Sequence, residues 1–378
     1  MLSPQKDAFQ IPPEISYFNC AFMAPRLKSV HRAGQAAMER LAQPWQLGAD
    51  DFFADAERAR GLFAQLIGAT PEHIAIVPSA SYGVATAANN LRLERGQSVL
   101  LTEAQFPSNV YSWRALAERT GADVRTVSRP ADGDWTRAVL AALDSSVAIA
   151  ALPNCHWTDG SYLDLEAISA ALRDIDARLV LDVTQSLGAM PLDVGRVKVD
   201  FLACAAYKWL LGPYSLGFLY VADEHHGGEP LEHNWITRER SEEFASLVEY
   251  RDGYQPGARR YDMGERANFI ALPMACAALE QVLAWTPEAI ADSLSGISRE
   301  IAAAAQRLGL SVAATELRAP HLLGVSFPGG CPPTLISELK DRGVQVSVRG
   351  DAVRIAPHLC VDQSDVARLV DALTTAAG

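Results

Sequence analysis

A lysine that closes one apolar strand and an aspartate that closes another could do carbonyl chemistry together. Lys208 lies in AAYKWLLGPYSLGFLYV, where a short apolar run breaks into a Gly/Pro-rich turn. Burial at such a place lowers an amine's pKa and leaves it nucleophilic toward aldehydes. Upstream, ARLVLDVTQSLGA ends an apolar strand on Asp182, with Gln185 one turn further on. The pair meets the needs of a pyridoxal 5′-phosphate (PLP) site, in which a lysine forms the Schiff base and a carboxylate keeps the pyridine nitrogen protonated. Each residue alone has a plainer explanation. Lys208 can snorkel from a strand end, Asp182 can cap a helix, and Gln185 can sit on a solvated helix face. Their combination favours the site.

Other residues fit around this pair. Ser79-Ala80-Ser81-Tyr82-Gly83 follows a strand and opens a helix, which suits a phosphate or an ordinary serine cap. Phe106 in EAQFPSNVYSW could lie flat on a cofactor ring or belong to the core. Arg354 sits in the apolar VRIAPHL and needs a partner, either a substrate carboxylate or one of the chain's acids; Arg349 competes for that role. His156 in PNCHWTDG would sit over the cofactor plane if Asp182 lies under the pyridine nitrogen, although lone histidines are more often structural. Asn268, beside the basic turn GARRYDMGERANF, could reach a ligand or form an Asx-turn, and Arg259 and Arg260 read as surface charge.

Alternating elements must position these residues. After an extended arm over residues 1–20, helical periodicity covers Ser29–Leu41 and Asp51–Ile67. Strands (HIAIVPS, SVLLTE, DVRTVSR, VAIAALPN, RLVLDVTQ, DFLACAAYK, SLGFLYVA) then alternate with helices (SYGVATAANNL, NVYSWRALAERTG, TRAVLAALD, LEAISAALRD). This predicts an α/β fold with a mostly parallel sheet covered on both faces, reactive groups collecting beyond the carboxyl ends of its strands. Ser79, Glu103, Asn154, Asp182 and Lys208 all fall at such ends. Residues 225–260 read as a surface excursion. From Pro273 an Ala-rich helical region runs to Leu308, followed by LLGVSFPG, PTLISELKDRG, a hairpin about Gly350-Asp351 and DVARLVDAL. The expected division is an arm (1–20) packing on the small domain, a large PLP-binding domain (21–272) and a small α+β C-terminal domain (273–378).

A length of 378 residues suits two or three domains. Apolar residues at 49% and charged residues at 21% are ordinary for a soluble globular enzyme. The net charge, 33 − 45 = −12, argues against nucleic acid or an anionic membrane as partner. No apolar run reaches the ~20 residues of a membrane span, and the N-terminus lacks a signal pattern, so a cytoplasmic location is expected. The cysteines at 20, 155, 204, 276, 331 and 360 form no C-x-x-C pair, which leaves no metal motif and predicts free, mostly buried thiols.

Together, YFNCAFMAPRL, PSASYGVATAANNL, EAQFPSNVYSW, LVLDVTQSLGAMPLDV, DFLACAAYKWLLGPYSLGFLYV, RRYDMGERANF and VRIAPHLCVDQSDVARLVDAL resemble the class V branch of the PLP-dependent aminotransferases. That fold-type I branch includes cysteine desulfurases, kynureninases and isopenicillin N epimerase-like proteins. The D-x-x-Q-S-x-G and Y-K-W-L-x-G-P pair carries most of the specificity. The resemblance implies a homodimer with active sites at the subunit interface. It implies Lys208 as Schiff-base lysine, Asp182 under the pyridine nitrogen, Gln185 on the phenolic oxygen and Phe106 stacked on the ring. Ala80, Ser81 and Tyr207 would hold the phosphate, with Asn268 reaching it from the neighbouring subunit, and Arg354 would take the substrate carboxylate. Two departures matter. Desulfurases carry a mobile-loop cysteine shortly before the position of Arg354, where VQVSVRGDA has none and Cys331 and Cys360 are out of register. Tyr207 stands where desulfurases usually have His, as in kynureninase and epimerase-like members.

The expected activity is that of a PLP-dependent enzyme on a small α-amino acid, with transamination favoured because the catalytic cysteine is missing. A β-lyase (desulfurase or kynureninase-like) and an amino-acid epimerase are the alternatives. A non-catalytic PLP-binding protein is disfavoured by Lys208, Asp182 and Arg354, and a dinucleotide-dependent dehydrogenase by PSASYG where G-x-G-x-x-G would stand.

Overall fold

The computed structural model describes residues 1–377. Its central layer is a seven-stranded sheet of β2 (Ile74–Val77), β3 (Ser98–Thr102), β4 (Asp123–Val127), β5 (Val147–Pro153), β6 (Arg178–Asp182), β7 (Phe201–Ala205) and β8 (Gly217–Val221), preceded in the chain by the short β1 (Ser16–Tyr17). The spatial order is β2-β8-β7-β6-β5-β3-β4. Only β8 runs against the rest, antiparallel to both β2 and β7. The carboxyl ends of six strands and the leading end of β8 therefore share one edge.

Side chains alternate across the pleat and build two apolar layers. Ala75 and Val77 face α3 (Ala80–Asn90) and α4 (Tyr111–Thr120) with Leu101, Val180 and Leu219. Ile74 and Ile76 join the opposite layer with Leu181, Leu202 and Phe218, where α2 (Ala54–Leu66) and α6 (Leu165–Asp174) pack. Local chemistry sets the ends of these helices. Asp164 Oδ1 accepts the Ala167 N–H to start α6, and Gly121, at φ 71°, closes α4. Helix α1 (Lys28–Leu41) lies beside α7 (Ala271–Trp285), while α5 (Trp135–Ala141) packs on α6.

The second layer is an antiparallel sheet of β9 (Ser311–Val312), β10 (Leu323–Ser326), β12 (Ser347–Arg349) and β13 (Ala352–Ile355), in the order β12-β13-β10-β9. It is covered by α8 (Pro287–Arg307), with α10 (Gln363–Ala377) packed on α8 and on α9 (Leu335–Asp341). β11 (Val344–Gln345) instead pairs in parallel with β1. The N-terminal arm is fixed here: Lys6 pairs with Asp362 and Asp365, and the Cys20 N–H donates to Ala356 O.

The Ala-rich region expected as one helical stretch is two helices. Thr286, at φ 62°, ends α7 and caps α8, accepting the Ala289 N–H ahead of Pro287. Residue 272 falls in the first turn of α7, which packs on α1 and α2 of the large layer. The run VQVSVRG is two short strands in different sheets, and β9 was not foreseen.

Candidate active site

The shared sheet edge holds a cavity of about 270 Å³. Its lining includes Ser79, Ala80, Ser81, Phe106, Asp182, Gln185, Tyr207 and Lys208, so the structure gathers these predicted residues around one space. Lys208 follows β7 and is 6% exposed. Its amine lies 5.4 Å from the Phe106 ring centre and 5.6 Å from that of Tyr207. Burial pulls its pKa down from 10.5 to about 8, and the Asp182 carboxylate opposes that shift. Asp182 closes β6; its Oδ1 accepts the Thr184 N–H at 3.0 Å.

The turn after Lys208 holds Leu211 at φ 58° and Ser215 at φ 61°, and Ala104 before Phe106 has φ 52°. Three non-glycine residues in the left-handed region around one cavity show backbone held against its own preference. Gly188 explains why the two halves of the motif occur together. At φ +99° its missing Cβ would stand 2.4 Å from Trp209 O, so only glycine lets the D-x-x-Q-S-x-G turn lie against the Y-K-W turn.

At the start of α3, Ser79 Oγ accepts the Tyr82 N–H and lies 2.8 Å from Ser81 Oγ. The Ala80 and Ser81 N–H groups make no hydrogen bond among the described residues, the arrangement an anion needs. Gln185 donates one amide hydrogen to Ala21 O at 3.0 Å and accepts from Trp209 Nε1 at 3.1 Å, which leaves one hydrogen free. Arg354, on β13 and 1% exposed, donates from Nη1 to Trp157 O at 2.8 Å and from Nε to Ser347 Oγ at 3.2 Å. Its Nη2 is buried without a partner, and burial lowers its pKa from 12.5 to about 10. Arg349 reaches over the Trp157 ring at 5.7 Å.

His156 is not where it was expected. Its ring is stacked on Trp135 at 5.3 Å, Nε2 donates to Glu103 O at 2.9 Å, and Nδ1 is 2.7 Å from Thr158 Oγ1. With both nitrogens engaged it lines no part of the cavity; the next residue, Trp157, does. Asn268 is also away from Lys208 in the same chain. It caps α7, accepting the Ala271 N–H on Oδ1 at 2.8 Å. Arg259 and Arg260 are more than surface charge: Arg259 pairs with Glu57, and Arg260 donates to Gly228 O.

Sequence reasoning missed Trp157, Cys155 and Thr184, which line the cavity. It also missed His321, which is buried and donates from Nε2 to the Gln185 carbonyl at 2.6 Å. The only available signal for Trp157 was its place beside His156.

A buried amine of lowered pKa, a buried carboxylate, a helix N-terminus with free N–H groups and an orphaned guanidinium nitrogen fit an anionic aldehyde cofactor and an amino-acid carboxylate. Fold and site together define a fold-type I, PLP-dependent enzyme. The family profile "Aminotransferase class-V" matches residues 45–369, and the chain belongs to that family. It is 28% identical over 329 residues to the uncharacterized aminotransferase YcbU of Bacillus subtilis (strain 168), covering 83% of this chain and 82% of that protein. It is 26% identical over 351 residues to isopenicillin N epimerase of Streptomyces clavuligerus, covering 85% and 84%. Its fold matches a C-DES mutant with glycine covalently linked to the PLP cofactor, at a TM-score of 0.88 and 20% identity over 98% of this chain and 99% of that one.

Proposed function

We propose that the chain is an aminotransferase for a small α-amino acid, acting as a cytoplasmic homodimer. The observation that carries the transaminase reading is the state of the thiols. The segment Val344–Arg354 contains no cysteine. Cys155, which lines the cavity, is buried, donates its S–H to Gln185 O at 3.2 Å, and has its pKa raised by burial. No thiolate is therefore poised to receive sulfur.

When bound, PLP supplies an electron-withdrawing ring that acidifies the α-hydrogen of an amino acid. The rest falls to the chain. Asp182 would keep a proton on the pyridine nitrogen, and Gln185 would give its free amide hydrogen to the phenolic oxygen. Phe106 would cover one ring face. The Ala80 and Ser81 N–H groups, the serine hydroxyls and Tyr207 would hold the phosphate. In a dimer, Asn268 would add a donor from the second copy; since Oδ1 caps α7, its amide N–H would serve. Arg354 would bind the substrate carboxylate through the unpartnered Nη2. Lys208 Nζ, whose pKa burial lowers to about 8, would in its unprotonated form accept the α-proton and return it elsewhere. No described helix is long and apolar enough to cross a membrane.

Incubation with a panel of amino acids and a keto-acid acceptor, followed by mass analysis, tests the reading. Paired appearance of a new keto acid and a new amino acid is expected. Released sulfide or alanine without a keto acid would make the enzyme a lyase, and inverted stereochemistry an epimerase.

A further inference from the structure

At the end of the sheet opposite Lys208, three side chains converge that the reaction does not use. His73 ends the 3-10 turn Pro71–His73 leading into β2, and Asp223 and His226 lie just beyond β8. Because β2 and β8 pair antiparallel, with Ile74 opposite Tyr220, these two turns are neighbours. Asp223 Oδ1 lies 3.0 Å from His73 Nε2 and 3.7 Å from His226 Nδ1, and one donor atom from each residue falls within 4.8 Å of the others. Tetrahedral zinc with bonds of about 2.1 Å separates its ligand atoms by about 3.4 Å. The two measured distances straddle that value.

The outer ring nitrogens decide which atoms face inward. His226 Nε2 is 3.1 Å from Val221 O. A carbonyl only accepts, so Nε2 carries the hydrogen and Nδ1 presents a lone pair to Asp223. His73 Nδ1 is 2.9 Å from Thr70 Oγ1. With Thr70 Oγ1 accepting the His73 Nδ1 hydrogen, Nε2 presents its lone pair to a metal. Such outer-shell bonds fix tautomer and ring direction in metal sites. The His73 ring is also held by stacking on Tyr220 at 5.5 Å. Both histidine side chains are 19% exposed, whereas Asp223 is 85% exposed and leaves room for water. A nearby cluster makes the contrast. Asp200, Glu224 and His225 also converge, but Arg178 already donates to Asp200 at 3.3 Å and to Glu224 at 2.6 Å, so that cluster has its cation.

We propose that His73, Asp223 and His226 bind one divalent first-row transition metal of the zinc type, completed by water. Such an ion would clip the turn entering edge strand β2 to the turn leaving β8. The two lie 223 − 73 = 150 residues apart in the chain, so the clip closes a long loop. Its effect falls on stability, since the strands' other ends, at Ser79 and Leu216, line the cofactor cavity.

Equilibrium dialysis of the tag-free, PLP-loaded full chain against micromolar ZnCl2, with metal analysis and a thermal melt, tests this. The wild type should hold one Zn2+ per chain and melt at a higher temperature with it. Asp223→Asn and His226→Gln should each weaken binding at least tenfold and abolish the shift, with folding and activity retained. Glu224→Gln should bind as the wild type does. No retained zinc, equal retention in the Asp223 and His226 variants, or loss on Glu224→Gln instead would overturn the proposal.

Discussion

At neutral pH a free lysine amine is almost wholly protonated and inert toward an aldehyde. The environment of Lys208 changes that, because burial lowers its pKa to about 8 while Asp182 resists. The rate at which the cofactor-free chain takes up PLP should therefore rise about tenfold per pH unit below 8 and level off above it. In Asp182→Asn, which lacks the opposing charge, the midpoint should move lower; a stopped-flow absorbance series over pH checks both, and a wild-type midpoint near the ordinary lysine value would contradict the assigned state. Arg354 makes a second residue-scale prediction. Arg354→Ala should raise KM for amino acids by the equivalent of about 2–5 kcal/mol, the cost of losing one partner of a buried charge pair. An unchanged KM with loss in Arg349→Ala would move the clamp to Arg349. Lys208 and Asp182 were legible as residues because each polar group closes an apolar run. His156 and Trp157 were not distinguishable, since one residue's rotation in a loop decides which ring faces the cavity, and no periodicity governs that rotation.

Elements carry what single residues cannot. The β/α alternation and the site-bearing strand ends could be read from period and punctuation, but the contacts joining them could not. Gly188 against the Trp209 carbonyl is one such contact. Gly188→Ala should lower stability by roughly 2–3 kcal/mol or more, since Cβ meets backbone that cannot yield. Gly309→Ala, also at positive φ (+75°) but with nothing within 4 Å, should cost only about 1 kcal/mol. Equal denaturant midpoints for the two would refute the close-approach account. The segment RRYDMGERANF is another example. Asp262 accepts the Ile76 N–H at 2.7 Å and the Met263 N–H donates to Ile76 O at 2.9 Å, so edge strand β2 is covered by chain rather than left open. Arg60 and Arg266 both pair with Asp262, all three buried, and Glu57 supplies the second negative charge. Scattered charges give no sequence signal for such a triad.

On the scale of the whole molecule, two buried histidines join the layers. His321 holds the Gln185 carbonyl, and His358 stacks on Trp209 at 6.0 Å with neither ring nitrogen bonded. Burial pushes their pKa values down from 6.5 to about 4 and about 3. Below pH 6.5 the unfolded chain takes up protons that the folded chain refuses, so their contribution is complete above pH 6.5 and is lost as pH falls toward 4. His358→Phe should keep the ring packing, flatten that acid limb, and add about 1–3 kcal/mol at pH 7 by removing an unsatisfied polar ring. Urea midpoints between pH 7 and 5 check this; parallel limbs for variant and wild type would count against it. Isolated histidines carry no pattern, which is why neither was foreseen.

The pairing of β1 with β11 has a consequence for synthesis. Ser16 lies beside Val344, so the arm's partner is made 344 − 16 = 328 residues later. At ribosomal speeds of about 5–20 residues per second, that is a wait of roughly half a minute. Through that interval Phe18 and Cys20, fully buried in the finished protein, lack the Gln345 and Ala356 carbonyls that accept their N–H groups. The chain's first residues are thus among the last to find their place, and a nascent chain stalled before residue 344 would leave them open to chaperones.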